Sequence, residues 1–205
     1  YSGATTVNGG KLVMRGSSGA AASTSDYTIT NGATLQIENT SSANNGNRLR
    51  DAATITLNGG TLNFSNDGSS ADYSETAGTL SVNAGANTVA ASQAPTGKKS
   101  TLRFASITRA PGATVDFIGT GIGDSDQNRI FITGQADGLL GTWATINGSG
   151  VVAYSSTRGV YALSGVVTAD IAARGPDSVV TNDASVIARI TSFGDSGPIT
   201  LAGEW

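Results

Sequence analysis

The segment GDSDQNR carries three oxygen-bearing side chains at alternate positions, Asp124, Asp126 and Asn128. Oxygen ligands at alternate positions open the loop that binds Ca²⁺ in EF-hand proteins. The rest of that pattern does not follow, because Arg129 stands where the loop needs Gly and Gln135 stands where it needs a bidentate Glu. The segment is therefore interpreted as a solvated polar turn, and a calcium site at the three residues is the alternative.

Carboxylates also gather in one short region, at Asp67, Asp72 and Glu75. Enzymes that cleave polysaccharides use paired carboxylates as general acid and base or nucleophile. Only three Glu occur in the whole chain, and no two Asp are adjacent. The region is therefore interpreted as a polar loop, and no catalytic residue is assigned.

Composition excludes several classes of site. The chain of 205 residues contains no Cys and no His, which excludes disulfides, thiolate or imidazole metal ligands, Cys nucleophiles and Ser-His-Asp triads. The net charge is −3 and the basic residues cluster only at Lys98 and Lys99, so no nucleic-acid partner is expected. No apolar run approaches the ~18–20 residues of a membrane-spanning helix, so no membrane span is expected.

Three Asn-x-Ser/Thr triplets begin at Asn39, Asn63 and Asn147. This triplet is the acceptor sequence for N-glycosylation. Because the chain is rich in Asn, Ser and Thr, such triplets arise by chance, and no glycan is assigned.

The candidate residues above lie within or between copies of a short repeated unit, which must position them. Each copy reads as an alternating strand, a turn with Gly, and a second alternating strand. Polar stretches lie between the copies and are predicted to loop out, namely RGSSGAAASTSD, ENTSSANNGNRLRD, SNDGSSADYSETAG and ASQAPTGKKS. The copies are TTVNGGKLVM (5–14), YTITNGATLQI (27–37), ATITLNGGTLNF (53–64), TLSVNAGANTVAA (79–91) and SITRAPGATVDF (106–117).

The Asn-Gly turns are compatible with two architectures. An Asn-Gly pair supplies the positive φ of a tight turn, either in an antiparallel hairpin or at the corner of a parallel β-helix. Copies roughly 20–30 residues apart, each too small to bury its own apolar face, favour stacked coils. A parallel β-solenoid is therefore predicted, with a β-sandwich as the alternative, and the preference between the two rests mainly on the resemblance described in the next paragraph. Equivalent turns should then stack along it, namely Asn8-Gly9, Asn31-Gly32 and Asn58-Gly59.

The first 14 residues, YSGATTVNGGKLVM, closely resemble the autotransporter-associated β-strand repeat of bacterial surface proteins. The segment TLAG, from Thr200 to Gly203, is similar to the first half of the same repeat, and GLLGTWATINGSG is similar to a segment that follows such repeats. The resemblance implies a right-handed parallel β-helix, export and surface exposure, and it does not imply catalysis. One solenoid segment is expected over residues 1–205, repeat-like at 1–120 and more divergent at 121–205.

The two ends of the chain resemble the two halves of one repeat. Joined head to tail they read ITLAGEW followed by YSGATTVNGGKL. We therefore expect the last strand of one copy to abut the first strand of the next, in one long chain or between subunits, by edge-to-edge pairing. The expected junction residues are Tyr1, Ser2, Gly3, Leu201, Gly203, Glu204 and Trp205.

These observations lead to a functional prediction. The chain is expected to be a non-enzymatic extracellular structural protein, a rigid spacer, adhesin stalk or filament subunit at a bacterial cell surface, without a cofactor. Its expected partners are further copies of itself, with host or matrix polysaccharide as a second partner. The alternative is a carbohydrate-binding or polysaccharide-cleaving β-helix protein. Its candidate sugar-stacking side chains are Tyr73, Tyr154 and Tyr161, but the preferred interpretation is that these single aromatic residues pack in a core or cap it.

Overall fold

A computed structural model of the chain describes residues 2–163, 179–181 and 200–202. Contacts within the chain define two compact units, Tyr1–Ala162 and Leu163–Trp205. The described residues contain strands and turns and no helix, and hence no helix that is long and apolar enough to cross a membrane.

The first unit contains two sheets of stacked parallel strands. The first sheet holds β1 (Thr5–Val7), β3 (Asp26–Thr30), β5 (Thr54–Asn58), β7 (Tyr73–Ala84), β9 (Ser100–Arg109) and β11 (Arg129–Ile132), in that order. The second holds β2 (Lys11–Met14), β4 (Thr34–Asn39), β6 (Thr61–Asn66), β8 (Ala86–Ala91), β10 (Thr114–Ile118) and β13 (Ala144–Ile146). Successive strands of the chain alternate between the sheets up to β11, which makes a β-solenoid of about five coils. The predicted all-β solenoid is confirmed.

The core forms because alternate residues of each strand face inward. In the second sheet, one inward column runs through register-matched positions of successive strands, and all its members are buried: Leu35, Leu62, Val89, Phe117 and Ile146. Burial of each such side chain stabilises the fold by about 1.5–3 kcal/mol. Each added coil therefore extends one continuous core.

The Asn-Gly turns are corners of the solenoid. The amide of Asn31 donates to the carbonyl of Asn58 at 3.3 Å, and the amide of Gly32 donates to the carbonyl of Gly59 at 2.7 Å. Asn31 and Gly32 have φ of 56° and 74°, so both occupy the left-handed region that a tight corner requires. The predicted stacking of these turns is confirmed. The hairpin alternative is wrong, because the strands on either side of a corner lie in different sheets.

The first corner joins the same stack with one difference. The Thr30 hydroxyl donates to Asn8 Oδ1 at 2.9 Å, and the Thr34 amide donates to the Gly10 carbonyl at 2.9 Å. The positive φ falls on Gly10, at 67°, and not on Gly9. The residue that needs the left-handed conformation therefore follows the Asn-Gly pair at this corner.

Longer loops connect the coils on the side opposite the corners. They span residues 15–25, 40–53, 67–72, 92–99 and 119–128. The loop predicted in SNDGSSADYSETAG is shorter than expected, because β7 begins at Tyr73 and pairs with β9 from there onward. Its segment YSETAG is therefore strand, with alternate side chains facing the core.

Antiparallel strands follow the parallel stack. Strand β14 (Gly150–Ser155) pairs antiparallel with β13, with β12 (Gly138–Leu139) and with β15 (Gly159–Ala162). The last of these packs on β11, where a Cβ added to Gly159 would lie 2.4 Å from the Ile130 carbonyl oxygen. A change of strand direction thus covers one end of the parallel stack.

The second unit is described over two short strands. Strand β16 (Val179–Thr181) pairs in parallel with β17 (Thr200–Ala202). Because most of residues 163–205 lie outside the described part of the chain, one continuous solenoid over residues 1–205 stays a prediction.

Candidate functional site

A buried guanidinium, that of Arg48, is the clearest departure from an apolar solenoid interior. The Arg48 side chain is fully buried, although it belongs to loop 40–53. Its Nε donates to Asn39 Oδ1 at 2.8 Å and its Nη2 donates to the Ala43 carbonyl at 2.8 Å. Its Nη1 donates to the Gly19 carbonyl, in the preceding loop. The guanidinium therefore ties two stacked loops to the end of β4.

Glu75 faces the same interior from β7. Its side chain is buried, Oε2 accepts a hydrogen bond from the Arg48 amide at 3.0 Å, and Oε1 accepts one from the Leu49 amide at 3.3 Å. Burial raises the pKa of Glu75 to about 7, against the opposing effect of the backbone hydrogen bonds from Arg48, Leu49 and Thr76. Burial also lowers the pKa of Arg48, and the negative charge of Glu75 opposes that change.

Asn39, Arg48 and Glu75 together hold loop 40–53 in place. A carboxyl group with a pKa near 7 could transfer protons, but Glu75 is enclosed and its oxygens hold backbone amides of loop 40–53. Glu75 therefore acts as a hydrogen-bond acceptor that holds the main chain of loop 40–53 in place. The predicted assignment of Glu75 to a solvated loop is wrong, because β7 begins two residues earlier and points this side chain inward.

Arg48 was missed at the level of sequence. It lies in ENTSSANNGNRLRD, a stretch predicted to be a polar loop. The apolar neighbour Leu49, which is also fully buried, was a signal that part of this loop turns inward. The Asn39 sequon also lies in this stretch. Its side chain is buried, and its Oδ1 accepts a hydrogen bond from Arg48 Nε. Asn63 is half-buried on β6, and Asn147 is exposed at a corner.

The other two predicted carboxylates organise loop 67–72. Asp67 Oδ1 accepts from the Tyr73 hydroxyl at 2.6 Å, and Oδ2 accepts from the Ser41 amide at 3.2 Å. The Tyr73 bond lowers the pKa of Asp67 to about 2, and burial together with Asp67 raises the pKa of Tyr73 to about 12. Asp72 Oδ1 instead accepts from the Lys99 amide at 2.9 Å. Asp67 and Asp72 therefore hold neighbouring loops, and neither shares a partner with Glu75 in the described hydrogen bonds.

The three calcium candidates point to different partners. Asp124 lies 3.4 Å from Arg158, and Asp126 lies 2.6 Å from Arg129. Asn128 is buried, and its side-chain Nδ2 donates to two main-chain carbonyls, at 2.9 and 3.0 Å. The described residues contain no group of three His, Cys, Asp or Glu that could hold a metal ion. A calcium site at these positions stays a prediction without a converging ligand set.

Two of the three tyrosines named as candidate sugar-stacking residues belong to the core. Tyr73 and Tyr154 are buried, and the Tyr154 hydroxyl accepts from the Ile132 amide at 3.3 Å. The preferred interpretation of Tyr73 and Tyr154 as core residues is confirmed, and the alternative of exposed sugar-stacking rings fails for both because their rings face inward. Tyr161 is half-buried, and the Arg158 guanidinium covers its ring at 4.0 Å from the centroid.

The outer faces of the coils carry ladders of short polar side chains. The Asn83 side-chain Nδ2 donates to Asn58 Oδ1 at 2.8 Å, and the Thr79 and Ser106 hydroxyls lie 2.9 Å apart. Each of these pairs joins one coil to the next. The ladders therefore hydrogen-bond mainly along the stack itself.

The first coil exposes part of the core. Leu12 is 36% exposed, whereas its register partner Leu35 is fully buried. Within the described part of the chain, β1 pairs only with β3 and β2 pairs only with β4. One edge of each strand is therefore open there.

The predicted junction residues are described only in part. Ser2 and Gly3 are exposed, and Leu201 lies in β17. Tyr1, Gly203, Glu204 and Trp205 lie outside the described residues. The junction between copies stays a prediction.

Comparison with protein-family models, with curated proteins and with solved structures found no match to this chain. The resemblance to the autotransporter-associated repeat rests on the residues given above and stays a prediction.

Proposed function

We propose that this chain is a non-enzymatic structural protein at a bacterial cell surface or outside the cell. In this proposal it is a rigid spacer, stalk or filament segment that is lengthened by adding coils head to tail. The observation that carries the proposal is the open edge of the first coil, where β1, β2 and the side chain of Leu12 are uncovered among the described residues. An open edge of this kind accepts a further strand through main-chain hydrogen bonds.

The register of the stack supports a spacer function. Six strands of the first sheet continue in parallel with few interruptions, and the same inward columns persist from coil to coil. In such a stack each coil contacts only its neighbours. Coils can therefore be added to lengthen the rod while each coil keeps the same core packing. The outward ladders of Thr, Ser and Asn also fit a rod, because their hydrogen bonds are satisfied mainly between coils.

The test compares self-association of the chain with that of two matched variants. Leu12→Lys places a charge on the exposed core of the first coil, and Leu139→Lys makes the same change on β12, where Leu139 is 54% exposed. Sedimentation velocity over a range of concentrations measures association, and electron microscopy measures particle length. The expected result is concentration-dependent, end-to-end particles for the unaltered chain and Leu139→Lys, and monomers for Leu12→Lys.

Two results would contradict the proposal. One is an unaltered chain that stays monomeric at every concentration. The other is equal association of both variants, which would place the contact away from the first coil. Circular dichroism of both variants must show the unaltered strand content, so that loss of association is not loss of folding.

A further inference from the structure

Five Asn-Gly pairs occur in the sequence, and their glycine amides differ in environment. An Asn side chain followed by Gly can react with its own backbone, because Gly offers no side chain to hinder the attack. The Gly nitrogen bonds to the Asn Cγ, the Cγ–Nδ2 bond breaks, and Nδ2 leaves as ammonia with the proton of the Gly amide. Water then opens the cyclic imide to Asp or isoAsp. The reaction needs only water and involves no oxidation or reduction.

Two of the solenoid corners hold the attacking nitrogen in place. The Gly32 amide donates to the Gly59 carbonyl at 2.7 Å. The Gly59 amide donates to the Ala84 carbonyl at 2.9 Å and to Asn87 Oδ1 at 2.8 Å. Attack on Asn31 or Asn58 therefore requires that the corner first separate from the next coil, which is a local opening of the structure.

The corner at Asn147 is held even more fully. The Gly148 amide donates to Asp116 Oδ1 at 3.1 Å. The Asn147 side chain accepts from the Gly119 amide at 3.0 Å and donates to the Gly119 carbonyl at 3.2 Å. Both the nucleophile and the leaving group at this corner are therefore engaged by the preceding coil.

Asn8 lacks these restraints. Asn8 and Gly9 are exposed, and the Gly9 amide has no hydrogen-bond acceptor among the described residues. Asn8 Oδ1 accepts from the Thr30 hydroxyl at 2.9 Å, a bond that leaves the departing Nδ2 unengaged in the described structure. Hydrogen bonding to the carbonyl oxygen also favours attack on Cγ, because it stabilises the negative charge that develops there.

We propose that Asn8 is a site of spontaneous deamidation in the folded protein, and that stacking protects Asn31, Asn58 and Asn147. The product adds a negative charge beside the exposed end of the core. IsoAsp also lengthens the backbone of the first corner by one atom, which shifts β2 against its register partner β4. The fifth Asn-Gly pair, Asn45-Gly46, lies within loop 40–53 and not at a corner, so it is left out of this comparison of corners.

The experiment measures deamidation at the four corner Asn-Gly pairs in the full chain. Folded protein is incubated at mildly alkaline pH and mapped by peptide mass spectrometry. IsoAsp is confirmed by methyl transfer from S-adenosylmethionine with isoaspartyl methyltransferase. At the three stacked corners, the hydrogen bonds of the glycine amide must break before the amide can attack, and this raises the barrier to reaction. Asn8 is therefore expected to react about tenfold faster than Asn31, Asn58 and Asn147. In denaturant, the four rates should converge.

Gly9→Ala is the matched variant. A Cβ at Gly9 has no atom within 4 Å and Gly9 lacks a positive φ, so the substitution fits the corner and only hinders the attacking nitrogen. It is expected to slow the reaction at Asn8 and to leave the other corners unchanged. The proposal is overturned if folded Asn31 or Asn58 reacts as fast as Asn8. It is equally overturned if folded Asn8 stays unmodified while the denatured chain is converted.

Discussion

At the scale of the residue, two buried ionisable side chains stand out in this solenoid, those of Arg48 and Glu75. Arg48 and Glu75 lie inside the first unit at the level where loop 40–53 meets β7. Each is held by main-chain or amide groups, and no ion pair within 4 Å joins them among the described residues. A buried carboxyl group without a close cation prefers its neutral form, and its protonation must therefore change the stability of the fold with pH.

Glu75 is expected to make the protein less stable as pH rises. Its pKa is about 7 in the folded protein and near the ordinary 4.5 in the unfolded chain. Between those values the folded protein keeps a proton that the unfolded chain has released. The contribution of Glu75 to the free energy of unfolding is therefore fully present below about pH 4.5. It is lost as pH rises through 7, by up to about 3 kcal/mol. Urea unfolding at several pH values measures this slope.

Glu75→Gln should flatten that slope, because the titrating group is gone. The variant should also unfold at lower urea concentration in acid, since a carboxamide has one oxygen for the two amides of Arg48 and Leu49. Glu38→Gln, the same change on the half-buried outer side of β4, is the control and should keep the slope. A slope in Glu75→Gln equal to that of the unaltered protein would show that another group titrates.

At the scale of the element, the corners constrain the chain more tightly than the strands do. The third corner brings Gly60 against the coil before it, where an added Cβ would lie 2.6 Å from both the carbonyl oxygen and Cγ2 of Ile29. Contacts this short with the backbone cannot be relieved by moving a flexible side chain. Gly60 is thus required by close approach, whereas Gly59 is required by its φ of 77°.

Gly60→Ala is expected to destabilise the fold by about 1–3 kcal/mol through overpacking. Gly9→Ala, at a corner with free space, is expected to change the free energy of unfolding by less than about 0.5 kcal/mol. Chemical denaturation of the two variants under identical conditions measures both values. Equal effects would mean that the coils can move apart at the third corner without cost.

At the scale of the first unit, its two ends differ. Strand β11 is covered by β15, whereas β1 and β2 have an open edge in the described structure. In a stack whose coils contact only their neighbours, opening begins where a coil has fewest neighbours. The unit should therefore open from the first coil.

Hydrogen exchange followed by mass spectrometry should show this asymmetry. The amides of β1 and β2 are expected to exchange fastest, and those of β5 to β10 slowest, with β11 close to the latter. Val160→Ala, which removes a fully buried side chain from β15, should speed exchange in β11 by about tenfold and leave β1 unchanged. Equal protection of β1 and β11 in the unaltered protein would contradict a covering role for β15.

The solenoid itself followed from local sequence. Alternation of apolar residues predicted strands, Asn-Gly pairs predicted tight turns, and the spacing of the copies, together with the resemblance to a β-helix repeat, favoured stacked coils. These signals are local because side chains alternate along a strand and because few residues accept positive φ. Positions such as Leu35 and Asn31 could therefore be assigned to core and corner without knowledge of their neighbours.

Tertiary structure alone decided which polar residues are inside and how the stack is covered. Register brings Glu75 beside Arg48 although they are 27 residues apart, and nothing in either local segment encodes that distance. The antiparallel turn of β14 and β15 over β11 likewise depends on long-range packing, because similar apolar runs elsewhere continue in parallel. Burial of a charged group requires partners from several loops, and those partners become neighbours only when the coils stack.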